Sequence, residues 1–527
     1  MTAMAPDKTE FIPFHATIAA HAVAGADSIA FRVEEREVDW QTFHGRMVQV
    51  AHAMLRSGVG PGDRVAIIGL ASLAYLECLF GTIAARACVV PLPASASASA
   101  LETMLLDCGA KLLFLDPDTG PAIADMAMRG AAHVVPFGHA GADGEAYTQW
   151  RSRGADSGCG LPAAQPQDPF NIIYSSGTTG VPKGIVHLHG MRRNQAARQG
   201  FGFSSTSRTL LSTPMYSNTT ITPMLGTLAN GGSCILMRKF DAGRYLALAS
   251  AHRATHTMLV PVQYKRILAH PDFAACDLSA MELSQSTGAP MDVALKRDIL
   301  QRWPGRFVEG YGLTEGGISC FLEPRLHPDK LHTVGRAAHG TEVFLVDESG
   351  QRLPPGQQDV AGEVVGRSPF MMAGYHNRPD ADAEIRWYDR EGRVHHRTGD
   401  IGRFDADGFL SLLDRRKDVI ISGGNNIYAA DLEAVLARHP GVLEAAVIGV
   451  PSADWGETPL ALVLARPGVS IDPDALREWA NAQVGRTQRL SAVELRQELP
   501  RTALGKLSKK ELRAPYWRCA DESAAKP

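Results

Sequence analysis

Cysteine pairs at zinc-site spacing are missing from this 527-residue sequence. Its eight cysteines, Cys78, Cys88, Cys108, Cys159, Cys234, Cys276, Cys320 and Cys519, are scattered. That excludes a zinc-stapled or disulfide-stapled scaffold and fits a reducing, cytoplasmic compartment. Charge of one sign is missing too: a formal net charge of -3 gives no basic field for a nucleic-acid partner. Long apolar runs are absent. Residues 1–14 carry charge and a proline without an apolar core, so they do not read as a signal peptide. The alanine-rich stretch 16–24 is too short and too weakly apolar to span a bilayer, so no integral membrane segment is expected. No lysine in a glycine-rich loop is followed by Ser or Thr, because Gly184 follows Lys183; a Walker A loop is excluded.

What is present is a long α/β pattern. With 45% hydrophobic and 21% charged residues the chain has the composition of a folded protein, and its length exceeds one usual domain. Apolar runs at 64–68, 89–92 and 110–115 alternate with helical stretches at 42–57, 73–84 and 101–107. The alternation restarts over 210–260. This order predicts an α/β fold with a large N-terminal domain of two mainly parallel, helix-covered sheets. Strand-like runs at 343–346 and 363–366, in a stretch rich in Pro and Gly, predict a strand-rich subdomain. Beyond Arg415-Arg416-Lys417, helices at 431–438 and 473–483 and strands at 445–450 and 460–464 predict a small α+β tail. The expected division is 1–414 for the large domain, 415–417 for a hinge and 418–527 for a small, mobile C-terminal domain. The Ala-Ser repeat at 94–100 reads as an ordered connection, and 138–169 as a surface excursion without chemistry.

Chemistry concentrates at Tyr174-Ser175-Ser176-Gly177-Thr178-Thr179-Gly180-Val181-Pro182-Lys183-Gly184. An apolar run precedes it and a second strand, 185–188, follows. Glycines let backbone N–H groups turn inward to form an anion nest; the hydroxyls add donors and Lys183 adds a mobile positive charge. In Tyr311-Gly312-Leu313-Thr314-Glu315-Gly316-Gly317 a carboxylate stands beside a hydroxyl, which suits Mg²⁺ but equally a turn with a solvated glutamate. In Thr398-Gly399-Asp400 an aspartate at the end of a tight turn can accept from two neighbouring hydroxyls, or can simply be a hairpin turn. In the run from Pro500 to Lys510, glycine beside Lys506 frees an amine to reach into a cleft; a basic surface segment is the bland reading.

These stretches, in this order, resemble the AMP-forming adenylating superfamily of acyl-CoA synthetases, aryl-acid and amino-acid adenylation domains and luciferases. In organisation the resemblance covers essentially the whole chain. It implies that Ser175, Ser176, Gly177, Thr178, Thr179, Gly180 and Lys183 hold ATP phosphates, with Thr178 taking part in catalysis. It implies that Gly288-Ala289-Pro290 lines the adenine, that Tyr311, with Gly312 beside it, stacks on the base, that Thr314 contacts phosphate and that Glu315 holds Mg²⁺. Asp400 and Arg415 resemble the ribose-binding pair, and Lys417 falls at the hinge. Gly423 and Gly424 belong to a stretch resembling the thiol tunnel. Lys506 matches the lysine that reaches the carboxylate and the α-phosphate. Three departures stand out. Asp414 replaces the usual Gly, Ala429-Ala430-Asp431 replaces Pro-x-Glu with Asp431 read as a helix cap, and Ser217 stands where relatives often have histidine.

The reaction so implied is a two-step ligation with ATP, Mg²⁺ and coenzyme A. A carboxylate attacks the α-phosphate to give acyl-AMP and pyrophosphate, and a thiol then displaces AMP. No protein nucleophile is needed, so the lack of a Ser-His-Asp pattern is no obstacle. The tail domain would rotate between the steps. Coenzyme A is the expected thiol because no carrier segment follows Lys510 and because 450–457 resembles free-standing CoA ligases. A separate carrier protein is the alternative. The acid pocket is expected from Tyr216, Ser217, Asn218, Gln263, Tyr264, Gln285, Gly316 and Gly317. If those polar groups face the acid, a small hydroxylated or aromatic carboxylic acid is the substrate. If they only pack against backbone, a medium- or long-chain fatty acid stays open. A homodimer is compatible with either case.

Overall fold

The computed structural model describes residues 11–119, 133–139, 144–155, 160–175, 182–198, 200–354, 356, 360–422, 425–452, 454–485, 488–501 and 507–524. The chain forms two compact units. One comprises Met1–Asp329, His339–Thr341 and Arg367–Arg386; the other comprises Lys330–Ala338, Glu342–Gly366 and Trp387–Pro527.

The first unit holds the two expected sheets. One orders its strands Gly374–Tyr375, Lys183–Leu188, Pro169–Ser175, Cys88–Leu92, Arg64–Ile68, Leu112–Leu115 and His133–Pro136. From Pro169–Ser175 to His133–Pro136 all neighbours are parallel. Ile67, Val90 and Phe114 on these strands are fully buried, as parallel strands covered on both faces require. In the other sheet, Arg306–Gly312, Leu283–Ser286, His256–Leu259, Arg208–Leu211, Ser233–Leu236 and Ile29–Val33 follow one another, every pair parallel.

Side chains mark where the covering helices begin. Asp39 accepts from the Thr42 amide at 2.6 Å, Ser72 from Tyr75 at 3.1 Å and Asp241 from Arg244 at 2.8 Å. The Ala-Ser repeat is ordered, and Ser97 caps Ala98–Cys108, so that helix starts three residues before the apolar pattern does.

In the second unit Val394–Phe404 lies between Gly362–Arg367 and Leu410–Arg415, antiparallel to both. Thr398-Gly399-Asp400 is therefore part of a long strand and not the tight turn expected. Gly399 has a φ of +71°, so the strand bulges there without ending. Among its described residues the tail carries the strands Val442–Ser452, Gly456–Ala465 and Ala492–Leu495 and the helices Ala429–Leu436, Pro473–Asn481 and Lys509–Ala524. Its first helix starts two residues earlier than expected, so Asp431 sits in the first turn and is not the cap. The cap comes from elsewhere: the Asp414 carboxylate accepts from the Ala429 amide at 3.1 Å and from the Arg415 amide at 2.8 Å.

Glu77 fixes three helices of the first unit at once. Fully buried on Leu73–Ala84, it accepts from Arg46 on Trp40–Arg56 at 3.1 Å, and from Tyr147 (2.7 Å) and Arg151 (2.6 Å) on Glu145–Ser152. Removing one partner of a buried ion pair strands the other. Glu77→Ala is therefore expected to cost about 3–5 kcal/mol. A urea titration reads this as a lower midpoint, and an unchanged midpoint would make the cluster energetically idle.

Candidate active site

Strands ending at Leu211, Leu259, Ser286 and Gly312 all point their carboxyl ends the same way. Open α/β sheets bind ligands outside such ends. The segments leaving them are Ser212–Asn218, Val260–Gln263, Thr287–Pro290 and Leu313–Glu315, which contain Tyr216, Ser217, Asn218 and Gln263 of the expected acid residues, the expected adenine bend Gly288-Ala289-Pro290, and Thr314 with Glu315. Gly288, with a φ of +89°, approaches closely: a β-carbon there would meet Val260 at 3.5 Å and Thr219 at 3.9 Å. Ala289 and Pro290 complete that bend.

Tyr311 and Gly312 lie inside a strand, beyond the expected end at Val308, because Ser319–Leu322 folds back and pairs Tyr311 with Cys320 and Gly312 with Ser319. Thr314 and Glu315 form the intervening turn, closed by the Gly316 amide on the Leu313 carbonyl at 3.0 Å. Gly316 has a φ of +71°, and a β-carbon there would lie 1.7 Å from the Phe370 carbonyl oxygen. Only glycine fits. Gly316 and Gly317 are both buried.

Ser175 and Lys183 face each other across the antiparallel pair Pro169–Ser175 and Lys183–Leu188. Ser176, Gly177, Thr178, Thr179 and Gly180 lie outside the described residues. The Lys183 ammonium stands 5.3 Å from the Tyr375 ring centre and 3.9 Å from Glu384. The Tyr375 hydroxyl donates to Glu315 at 2.8 Å. Burial, and then the Glu315 charge, push the Tyr375 hydroxyl pKa well up, so it stays a donor at neutral pH. Tyr375 thus joins the phosphate-loop lysine to the expected magnesium ligand. Sequence reasoning missed it. Its strand, Gly374–Tyr375, is only two residues long and takes its place by pairing with Ile185 and Val186, far away in sequence.

Among the residues expected to line the acid, several polar groups are spent internally. Ser217 caps Asn218–Ala229, accepting from the Thr219 amide at 3.3 Å. The Gln263 amide bonds the Val260 amide (3.2 Å) and the Ser212 carbonyl (3.2 Å), and the buried Tyr264 hydroxyl donates to the Gln285 carbonyl (2.8 Å). Asn218 accepts from Arg192 at 2.9 Å. Tyr216 is half-buried. The side-chain amide of buried Gln285 has no hydrogen-bond partner among the described residues.

In the second unit, Asp400 and Arg415 are cross-strand partners, with the guanidinium 2.6 Å from the carboxylate. The Lys417 carbonyl accepts from Arg513 at 3.1 Å. Gly423, Gly424 and Lys506 lie outside the described residues.

Strand carboxyl ends, a hairpin and a glutamate-bearing turn in the first unit have the form of a ligand site in an open α/β fold. Residues 18–376 match the model of the AMP-binding enzyme family and residues 431–506 that of the AMP-binding enzyme C-terminal domain, and the chain belongs to this AMP-forming superfamily. It is an ATP-dependent, AMP-forming acid:CoA ligase. The chain is 35% identical over 475 residues to a feruloyl-CoA synthase of Amycolatopsis sp, covering 89% of this chain and 92% of that one. It is 31% identical to the fatty acid–[acyl-carrier-protein] ligase ScoC of Streptomyces coeruleorubidus, covering 95% and 96%. Among solved structures, ATP-bound MatB from Rhodopseudomonas palustris superposes with a TM-score of 0.86 at 27% identity, over 96% of this chain and 99% of that one.

Tyr375→Phe removes the donor to Glu315 and keeps the ring under Lys183. A hydrogen bond to a charged group is worth about 1.5 kcal/mol or more. Acid-dependent pyrophosphate exchange is expected to fall about tenfold, with the thermal midpoint nearly unchanged. An exchange rate equal to wild type would remove Tyr375 from the site.

Proposed function

We propose that the acid is a small hydroxylated or aromatic carboxylic acid. The Gln285 side chain carries this reading. It lies on the strand Leu283–Ser286, beside the bend at Gly288, and no hydrogen bond among the described residues commits its amide, which leaves that amide free to pair with a polar group of the acid. The relative named as a feruloyl-CoA synthase, whose acyl group is aromatic and hydroxylated, supports it. A fatty acid is the second reading, favoured by the name of the ScoC relative and by the internal bonding of Gln263 and Tyr264.

In this reading the loop from Ser175 to Lys183 holds phosphates, with Thr178 as a donor to them. Gly288-Ala289-Pro290 and Tyr311-Gly312 take the adenine, and Asp400 with Arg415 takes the ribose. Thr314 contacts phosphate. A lone carboxylate oriented by a tyrosine hydroxyl, beside a threonine, is the hard-oxygen set that suits Mg²⁺ shared with phosphates, so Glu315 would hold it. The ion, when bound, would neutralise phosphate charge. Lys506 would stabilise charge as the carboxylate attacks the α-phosphorus. Arg415 to Lys417 would form the hinge on which the tail turns, and Gly423 and Gly424 would line the coenzyme A path. A reducing cytoplasmic setting suits these substrates.

Lys506→Ala is expected to nearly abolish acid-dependent pyrophosphate exchange while thioester formation from supplied acyl-AMP largely survives. Equal loss of both half-reactions would make the lysine structural. For the acid, CoA-dependent AMP release is measured over short, branched, hydroxylated, aromatic and long-chain acids. Small hydroxylated or aromatic acids should lead in kcat/KM, and Gln285→Leu should shrink that lead about tenfold. A wild-type preference for long saturated chains would defeat this reading.

A further inference from the structure

Arg192 lies on the helix His189–Ala196 and is fully buried. Its guanidinium donates four hydrogen bonds. Nε reaches Asn171 Oδ1 at 2.9 Å, and Nη1 reaches Gln195 Oε1 at 2.8 Å. Nη2 reaches both Asn218 Oδ1 at 2.9 Å and His187 Nδ1 at 3.0 Å. Three of these acceptors are amide oxygens and the fourth is a histidine nitrogen. No carboxylate among the described residues pairs with it. Burial pulls its pKa down to about 9, which still leaves it charged at neutral pH. For stability alone an apolar side chain of similar volume would serve as well or better. The charge and the fork therefore call for another reason.

That reason lies at the two ends of the network. His187 is buried and places Nε2 2.7 Å from the Thr314 carbonyl. A carbonyl only accepts, so Nε2 carries the hydrogen and Nδ1 offers its lone pair to Arg192 and to Asn171 Nδ2, 3.2 Å away. Burial and the Arg192 charge hold the His187 pKa well below its ordinary value, so the ring stays neutral in this one tautomer. A continuous path results: Asn218, Arg192, His187, Thr314. Asn218 is the first residue of the helix on the acid side, and Thr314 precedes Glu315 in the turn on the nucleotide side.

We infer that Arg192 is a positioning residue that couples acid binding to nucleotide binding. One planar guanidinium sets the start of Asn218–Ala229 against the Thr314–Glu315 turn, through a histidine that can bond only one way round. An acid that orders Asn218 thereby orders Thr314, and by linkage the nucleotide returns the same favour to the acid. The inference rests on the reading that Asn218 faces the acid and Thr314 and Glu315 face ATP.

The test measures binding without turnover. The probe is α,β-methylene-ATP with Mg²⁺, which cannot be adenylated onto an acid, titrated into the full chain by calorimetry with and without the best acid of the panel. In wild type the acid should tighten the analogue about fivefold or more. Arg192→Met should abolish that tightening and also weaken the analogue in the absence of acid, although Arg192 touches neither ligand. Arg192→Lys keeps the charge without the planar fork and should recover part of the affinity and little of the coupling. It also serves where Arg192→Met does not fold. A lower thermal midpoint in the variants, with the analogue affinity and the acid effect within about twofold of wild type, would reduce Arg192 to a structural role and overturn the inference. If acid tightens the analogue equally in every variant, the coupling fails and the acid-site reading stands. If no acid in the panel tightens it even in wild type, there is no coupling for Arg192 to carry and the inference is overturned, while the acid-site reading is judged by the kcat/KM panel.

Discussion

Parallel strand pairing imposes a direction on this protein. Each strand of a parallel sheet must be re-entered from the same end, so a covering segment has to carry the chain back every time. The cost is long connections. The return is that every strand finishes at one edge, and segments far apart in sequence meet there. Ser212–Asn218, Val260–Gln263, Thr287–Pro290 and Leu313–Glu315 are neighbours for that reason. The buried Glu77 cluster serves the same end from behind, since it locks the covering helices whose position decides how the strands lie.

Much of this was legible in the sequence because it is local. Strands at 64–68 and helices at 73–84 read directly from uninterrupted apolar runs, and both match the structure to the residue. Motifs dense in glycine and hydroxyls likewise mark themselves. What stayed hidden depends on partners distant in sequence. Asp431 looked like a cap because aspartate beside a helix usually is one, yet the Asp414 carboxylate had already taken the amide. Thr398-Gly399-Asp400 looked like a turn because its residues favour turns, but flanking strands on both sides hold it extended. Tyr375 carried no local signal at all; only its pairing with Ile185 brings it to Glu315.

The polar groups near the site divide by what they are bonded to. Ser217, Gln263 and Tyr264 are consumed by the fold, so their polarity shapes backbone and not ligand. Gln285 keeps its amide uncommitted, and Tyr375 and Arg192 use theirs to aim other residues. A composition-based view of the pocket counts all of these alike. The bonding pattern separates those the fold has already committed from the one it leaves open.

Gly316 sets a limit on how the protein can diverge. Its left-handed backbone and the Phe370 carbonyl in the place of a side chain leave no second amino acid open to it. Lineages that acquire a new acid cannot do so by filling this corner, and a library saturated at position 316 returns its parent. Variation is steered instead toward positions whose side chains the fold has not already spent, so the path to new specificity is narrowed by a peptide oxygen that need never touch the substrate.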